Sequence, residues 1–396
     1  MSTNQDVRKY HISQKAGQLS PSGIRKFFDL LDSMEGVISL GVGEPDFTTP
    51  WHIRDAAIKS LEKGETMYTS NSGMPELRQE LSRHIQNRYG VRYHPDGELL
   101  ITVGVSEALD LTMRAILDPG DEVIIPDPSF VAYEACVLLA GGIPVMIPTL
   151  EQENFEISPG AIEEQITRKT RAILIGYPAN PTGAVMPREK LIEITGLARK
   201  HGLLIISDEI YSHLVYGVEH ICVPALPGMR DNVIFLGGFS KAYAMTGWRI
   251  GYACAPAEII AAMTKIHQYT MMCAPTMAQV AAIEALKFGE NSSMEMVADY
   301  NRRRRVIVQG LHDIGLPCFE PKGAFYAFPS IKRTGMNSEE FAERLLTEEK
   351  VAVVPGSAFG ECGEGYIRCC YATSLDEIEE ALKRMKRFVQ KCGVKK

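Results

Sequence analysis

The feature that most limits how this chain can fold is a series of short segments apolar on both faces, separated by segments with helical spacing. Leu99–Val103 reads as a strand and Glu107–Leu117 as the helix after it. Glu122–Ile125, Pro144–Pro148 and Arg171–Gly176 are further strands. Arg188–Lys200 has a helical period and leads into the strand Leu203–Ser207. Val233–Gly237 and Ile250–Cys254 follow. Strands without a polar face suit a parallel or mixed sheet covered by helices on both sides. Their alternation with helices predicts an α/β core.

The pattern changes near Ala281. Helical spacing runs through to Asp313. Short strands are then expected at Phe325–Pro329, Val351–Val354 and Ile367–Tyr371, before an amphipathic helix over Leu375–Val389. A short helix is expected over Gly23–Asp32. The expected fold class is therefore α/β, with a large domain over residues 44–285 built on a mostly parallel central sheet. A smaller α+β domain is expected from both termini, residues 1–43 and 286–396. A chain of 396 residues has room for both.

The net charge of −7 argues against nucleic acid as a partner, since phosphate backbones call for a basic face. The run Arg302-Arg303-Arg304-Arg305 reads as the solvated side of a helix, because Tyr300, Val306 and Ile307 fit a helical period. The nine cysteines are scattered, with no Cys-x-x-Cys pair, as in a reduced, cytoplasmic protein. The nine histidines lack metal-ligand spacing, so no metal site is expected. The first residues have no apolar core of a signal peptide, and no apolar stretch approaches the roughly 18 residues of a membrane span.

Four constellations fall where predicted strands end. Gly237-Gly238-Phe239-Ser240-Lys241 precedes Gly247-Trp248-Arg249. A lysine there is ordinarily a surface charge. Here two glycines allow close backbone approach, Ser240 offers a hydroxyl, and Arg249 offers a charged fork suited to phosphate. Ser207-Asp208-Glu209-Ile210-Tyr211 follows a buried strand, so Asp208 either caps the next element or meets a ligand at the carboxyl edge of the sheet. Tyr177-Pro178-Ala179-Asn180-Pro181-Thr182-Gly183 is either a plain turn or a loop that offers the Asn180 side chain to a ligand. Thr102-Val103-Gly104-Val105-Ser106-Glu107 runs from strand to helix, and free N–H groups at a helix start attract anions.

Together these motifs resemble the class I/II aminotransferases, which are fold-type I enzymes dependent on pyridoxal 5'-phosphate. The resemblance includes Gly43-Glu44-Pro45-Asp46-Phe47 and extends to Tyr366-Ile367-Arg368, and so covers nearly the whole chain. It is strongest to the prokaryotic aspartate and aromatic amino-acid aminotransferases. It implies that Lys241 forms a Schiff base with the cofactor, that Asp208 pairs with the pyridine nitrogen, and that Tyr211 and Asn180 hydrogen-bond the ring 3-oxygen. Phe130 matches the aromatic stacked on the ring. Val105, Ser106, Ser240 and Arg249 match phosphate contacts. Tyr68 matches a phosphate contact from a neighbouring subunit, which implies a homodimer with shared sites. Arg368 and the Gly43 backbone match the grip on the substrate α-carboxylate. Many relatives carry a serine at the position of Gly238, so the phosphate cup is expected to be looser here, or filled by water.

The implied reaction moves an α-amino group from an amino acid to a 2-oxo acid, 2-oxoglutarate, in two half-reactions. Ile24 and Ser106 stand where one branch of aspartate aminotransferases carries a threonine and a lysine that read the distal carboxylate. That favours aromatic or broad donor use, while the neighbouring Arg25 leaves aspartate, and a broad range leaves alanine, open. A C–S lyase on the same fold would share Lys241 and Asp208. A non-catalytic regulator would need a DNA-binding domain, for which the N-terminal segment is short.

Overall fold

The computed structural model describes residues 12–19 and 34–393. The expected helix at Gly23–Asp32 lies outside the described residues, as do Ile24 and Arg25. After the short β1 (Ile38–Ser39), seven strands form one sheet: β2 (Leu99–Thr102), β3 (Glu122–Asp127), β4 (Ile143–Pro148), β5 (Thr170–Ile175), β6 (Leu204–Asp208), β7 (Val233–Gly238) and β8 (Gly251–Cys254). Their order is β2-β8-β7-β6-β5-β3-β4. β8 runs antiparallel to both neighbours, and every other pairing is parallel.

Both faces of this sheet are apolar because both are covered. Leu100, Ile234 and Leu236 pack on one side with residues of helices Gly104–Ile116, Ala132–Ala140 and Ala257–Thr270. Leu99, Ile101 and Phe235 point the other way, onto helices Trp51–Glu62, Pro75–Tyr89 and Thr276–Phe288. Ile173, Ile175 and Ile205 meet helix Arg188–His201. The period-2 alternation within each strand therefore feeds two cores at once.

A separate core joins helices Glu290–Asp313, Ser338–Glu349 and Leu375–Lys391 to small sheets. β9 (Tyr326–Ala327) and β11 (Val354–Pro355) flank β12 (Ile367–Cys370) as antiparallel neighbours, and β10 (Val351–Ala352) pairs in parallel with β1. The single strand expected at Val351–Val354 is thus two, in different sheets. The segment Val-Ala-Val-Val has no feature that tells which backbone will pair with it.

The arginine run also differs from expectation. Arg303 and Arg304 are only 7% and 8% exposed. Arg303 donates from Nη1 to both carboxylate oxygens of Asp46 at 2.8 Å and lies over the rings of Phe47 and Tyr300. Arg304 donates to Glu320 at 2.7 Å and lies over Tyr216. Acidic and aromatic partners distant in sequence make this burial tolerable. All nine cysteines are free, and five are buried. No described helix is long and apolar enough to cross a membrane.

One close approach ties β8 to the helix that follows β2. A Cβ added at Gly251 would lie 2.6 Å from the Gly104 carbonyl carbon and 2.7 Å from the Val105 nitrogen. Backbone atoms cannot swing aside as a side chain can. Gly251→Ala is expected to destabilise the fold by about 1–3 kcal/mol through overpacking, read as a lower denaturant midpoint at unchanged slope. An unchanged midpoint would show that the helix start yields freely.

Candidate active site

In the parallel part of the sheet every strand ends on the same edge, and the loops leaving that edge converge. Val105 and Ser106 begin the helix after β2, and Phe130 follows β3. Asn180 follows β5, Asp208 ends β6 with Tyr211 just beyond, and Ser240 and Lys241 follow β7. Together with Arg249 they line one cavity of about 390 Å³, closed from the other side by Gly43, Tyr326 and Arg368. Of the site residues expected from sequence, Tyr68 alone stands outside this lining; it is 81% exposed.

The amine and the carboxyl in the cavity are both displaced from their ordinary behaviour. Burial lowers the Lys241 ammonium to about 8, assisted by the positive charges of Arg368 and Arg249 and opposed by Cys370 and Glu44. Its Nζ donates to the Gly43 carbonyl at 2.7 Å. Burial raises the Asp208 carboxyl to about 6, against hydrogen bonds from the Ile210 N–H and the Tyr133 hydroxyl. In both cases loss of water disfavours the charged form. Tyr133, on the helix after Phe130, was not foreseen. Its spacing of three from Phe130 at a helix start is the only local signal.

Arg368 is 2% exposed. Its Nη1 donates to Asn180 Oδ1 at 2.9 Å and its Nη2 to the Gly41 carbonyl at 2.7 Å, while its Nε is buried without a partner. The guanidinium lies between two rings, 4.5 Å from the centroid of Tyr326 and 4.9 Å from that of Phe359. Tyr326 was also missed by sequence reasoning, although it stands inside an expected strand. Its hydroxyl is 2.7 Å from that of Tyr211.

The opposite end of the cavity suits an anion. Val105 and Ser106 present the free N–H groups of the first turn of helix Gly104–Ile116. Arg249 has a left-handed backbone, φ 53°, which for a residue with a side chain is strained. A Cβ at Gly104 would come within 2.7 Å of Arg249 Nη2, so glycine there lets the guanidinium reach the helix start. A Cβ at Gly238 would lie 2.8 Å from Val105 Cγ2 and 3.1 Å from Ile210 Cδ1, so two side-chain methyl groups crowd that position.

A mostly parallel sheet with buried ionisable groups at its carboxyl edge defines an α/β enzyme with its chemistry at that edge. The family described as "Aminotransferase class I and II" matches residues 35–385, and the chain belongs to it. It is 57% identical over 381 residues to the Bacillus subtilis protein YugH, provisionally named an aminotransferase, covering 96% of this chain and 99% of that one. It is 44% identical over 382 residues to an aspartate aminotransferase of Pyrococcus abyssi, covering 96% and 98%. The structure of an aromatic aminotransferase from Pyrococcus horikoshii superposes with a TM-score of 0.88 at 43% identity, covering 92% and 99%. The chain is an aminotransferase with amino-acid and 2-oxo-acid substrates, and its cofactor is pyridoxal 5'-phosphate.

The residues present fit that cofactor. A phosphate suits the end formed by the helix start, Ser240 and Arg249. An aldehyde suits a lysine whose proton is lost near pH 8. A ring nitrogen suits a buried carboxyl, and Phe130 supplies an apolar face.

Asp208 sets a pH dependence in the cofactor-free chain. Its folded value of about 6 lies above the ordinary 3.8, so burial opposes folding once the carboxyl ionises. Below about pH 4 both states are protonated and there is no penalty. As pH rises from about 4 to about 6 the penalty grows, and above that it is constant. Asp208→Asn is therefore expected to stabilise the cofactor-free chain by about 2–3 kcal/mol at pH 7 and by little at pH 4. Melts at the two pH values decide it: equal gains at both would show that ionisation is not the cause.

Proposed function

We propose that the chain transfers the α-amino group of aromatic or varied amino acids to 2-oxoglutarate by a ping-pong mechanism, with Lys241 as the covalent anchor and proton carrier. The observation behind this reading is the meeting of Lys241, Asp208 and Arg368 in one buried cavity.

Pyridoxal 5'-phosphate, when bound, supplies a conjugated ring that withdraws electrons from the substrate Cα. Lys241 would hold it covalently. Asp208 would face the pyridine nitrogen, where a neighbouring cation favours its ionised form. Asn180 and Tyr211 would hydrogen-bond the ring 3-oxygen, and Phe130 would lie against the ring. Val105, Ser106, Ser240 and Arg249 would hold the phosphate, with Tyr68 contributed by a second copy in a homodimer. Arg368, which lines the cavity, would take the substrate α-carboxylate beside the Gly43 backbone. That grip fixes rotation about the Cα–N bond, so that one bond at Cα is aligned for cleavage. Lys241, released by the incoming amine, would then take the Cα proton, a task suited to an amine whose proton is lost near pH 8.

The donor preference rests on the cavity wall. Apart from Lys241, Arg249 and Arg368, no described lining residue is basic, whereas Val42, Phe130, Pro178, Ile210 and Tyr326 offer apolar surface. Glu44 also lines the cavity and disfavours a second carboxylate. Overall identity does not choose, being 44% to an aspartate and 43% to an aromatic enzyme. We also assign residues 44–285 to a large cofactor-binding domain and residues 1–43 and 286–396 to a small one; the pairing of β1 with β10 supports the joining of the termini. Nine free thiols favour a reducing compartment, the cytoplasm.

Purified protein is expected to be yellow, and borohydride to trap the cofactor on Lys241. A Lys241→Ala variant that still transaminates would overturn the assignment. In a donor panel against 2-oxoglutarate, phenylalanine or tyrosine should exceed aspartate in kcat/KM by about tenfold, the worth of roughly 1.4 kcal/mol of differential binding. A reversed order would assign the aspartate reading, and 2-oxo acid formed without consuming 2-oxoglutarate would indicate a lyase.

A further inference from the structure

Tyr326 stands where three parts of the cavity meet. Its hydroxyl is 2.7 Å from the Tyr211 hydroxyl and 3.5 Å from the Gly43 carbonyl oxygen, which also accepts from Lys241 Nζ at 2.7 Å. Its ring lies 4.5 Å below the Arg368 guanidinium. Two phenol protons are thus shared between each other's oxygens, the Gly43 carbonyl and whatever ligand atom faces Tyr211. Gly43 already has a charge-assisted donor in Lys241, and the contact from Tyr326 to it is at the limit of a hydrogen bond. The stronger arrangement has Tyr326 donate to the Tyr211 oxygen. That frees the Tyr211 proton for a ligand, and each hydroxyl in the chain strengthens the next. The guanidinium over the Tyr326 ring makes its phenol a better donor.

We propose that Tyr326 is a positioning residue: it donates to Tyr211, so that the Tyr211 proton is aimed at the cofactor 3-oxygen, and its ring supports Arg368. The inference rests on the reading of Tyr211 given above. The charged and titratable groups facing the two phenols are Arg368 and Cys370 of β12 and Lys241 after β7. The glycine at 43 fits the same arrangement, since a Cβ there would lie 2.5 Å from the Tyr326 hydroxyl oxygen.

The test uses the holoenzyme and the pH midpoint of its visible absorbance. A weaker bond to the 3-oxygen leaves more negative charge there, which holds a proton on the neighbouring nitrogen at Lys241 to higher pH. Tyr326→Phe is expected to raise the midpoint by up to about one unit, the scale of one neutral hydrogen bond. Tyr211→Phe should raise it further. The KM for the amino donor should change less than about threefold in Y326F, where the ring remains. It should rise about tenfold in Tyr326→Leu, where the stacking is lost. Should Y326F not hold cofactor, Gly43→Ala replaces it. The added Cβ displaces the hydroxyl, and the midpoint should again rise. An unchanged midpoint in Y326F, or in G43A where it stands in, beside a raised one in Tyr211→Phe overturns the inference and leaves the role of Tyr211 intact. No shift in either tyrosine variant overturns both.

Discussion

Burial of an amine and a carboxyl at one sheet edge is the condition on which this site depends. Lys241 and Asp208 are both shifted towards their neutral forms by loss of water, the one down to about 8 and the other up to about 6. Among the described residues no ion pair joins them. Lys241 donates to a backbone carbonyl, and Asp208 accepts from Tyr133 and a backbone N–H. Had they paired, each would have held the other charged, and the amine would be a poor nucleophile. With separate neutral partners, neither group holds the other charged.

That burial is supplied from outside the sheet. Strands ending on an open edge would leave Asp208 and Lys241 in water. The cover comes from the Gly41–Gly43 segment, from β9 and from β12, which bring in two carbonyls, Tyr326 and Arg368. The cover is pinned in turn. Arg303 grips Asp46 from the long helix Glu290–Asp313 and stacks on Phe47, a few residues from Gly43. An arginine that reads as surface charge is thus part of what closes the cavity. Its two-point contact to one carboxylate, between two aromatic rings, holds the segment in one geometry.

What was legible in the sequence follows from this division. The strands of the large sheet are apolar throughout because both faces are covered, so β2 to β8 stand out to within about two residues of their bounds. Asp208 ends one of those strands, Asn180, Lys241 and Val105 follow others within five residues, and local motif order was enough to find them. The cover was harder to read. Val351–Val354 divides between two sheets because pairing is decided by partners more than 10 residues away at Ile38 and Ile367. Arg303 and Arg304 are buried by Asp46, Glu320, Phe47 and Tyr216, none adjacent in sequence. Tyr133 and Tyr326 line the cavity beside Asp208 and Tyr211, but neither stands in a motif at a strand end, and no spacing rule marks such contacts.

At the helix-start end of the cavity two positions have to be read together. Glycine at 238 in place of a serine removes a hydroxyl donor, a loss worth about 1.5–3 kcal/mol at a charged acceptor. Read by itself it implies a gap. In the structure Val105 Cγ2 and Ile210 Cδ1 lie 2.8 and 3.1 Å from the place of a Cβ at 238, so apolar side chains crowd that position. The helix start presents its N–H groups from the backbone, whatever the side chain at 105, and these donors remain. A side chain at 238 would press its Cβ against the Val105 methyl, and glycine there avoids that contact. The two positions are therefore one choice. It exchanges a hydroxyl on one strand end for apolar packing on the facing helix, and the donors lining this end are backbone N–H groups, Ser240 and the strained Arg249.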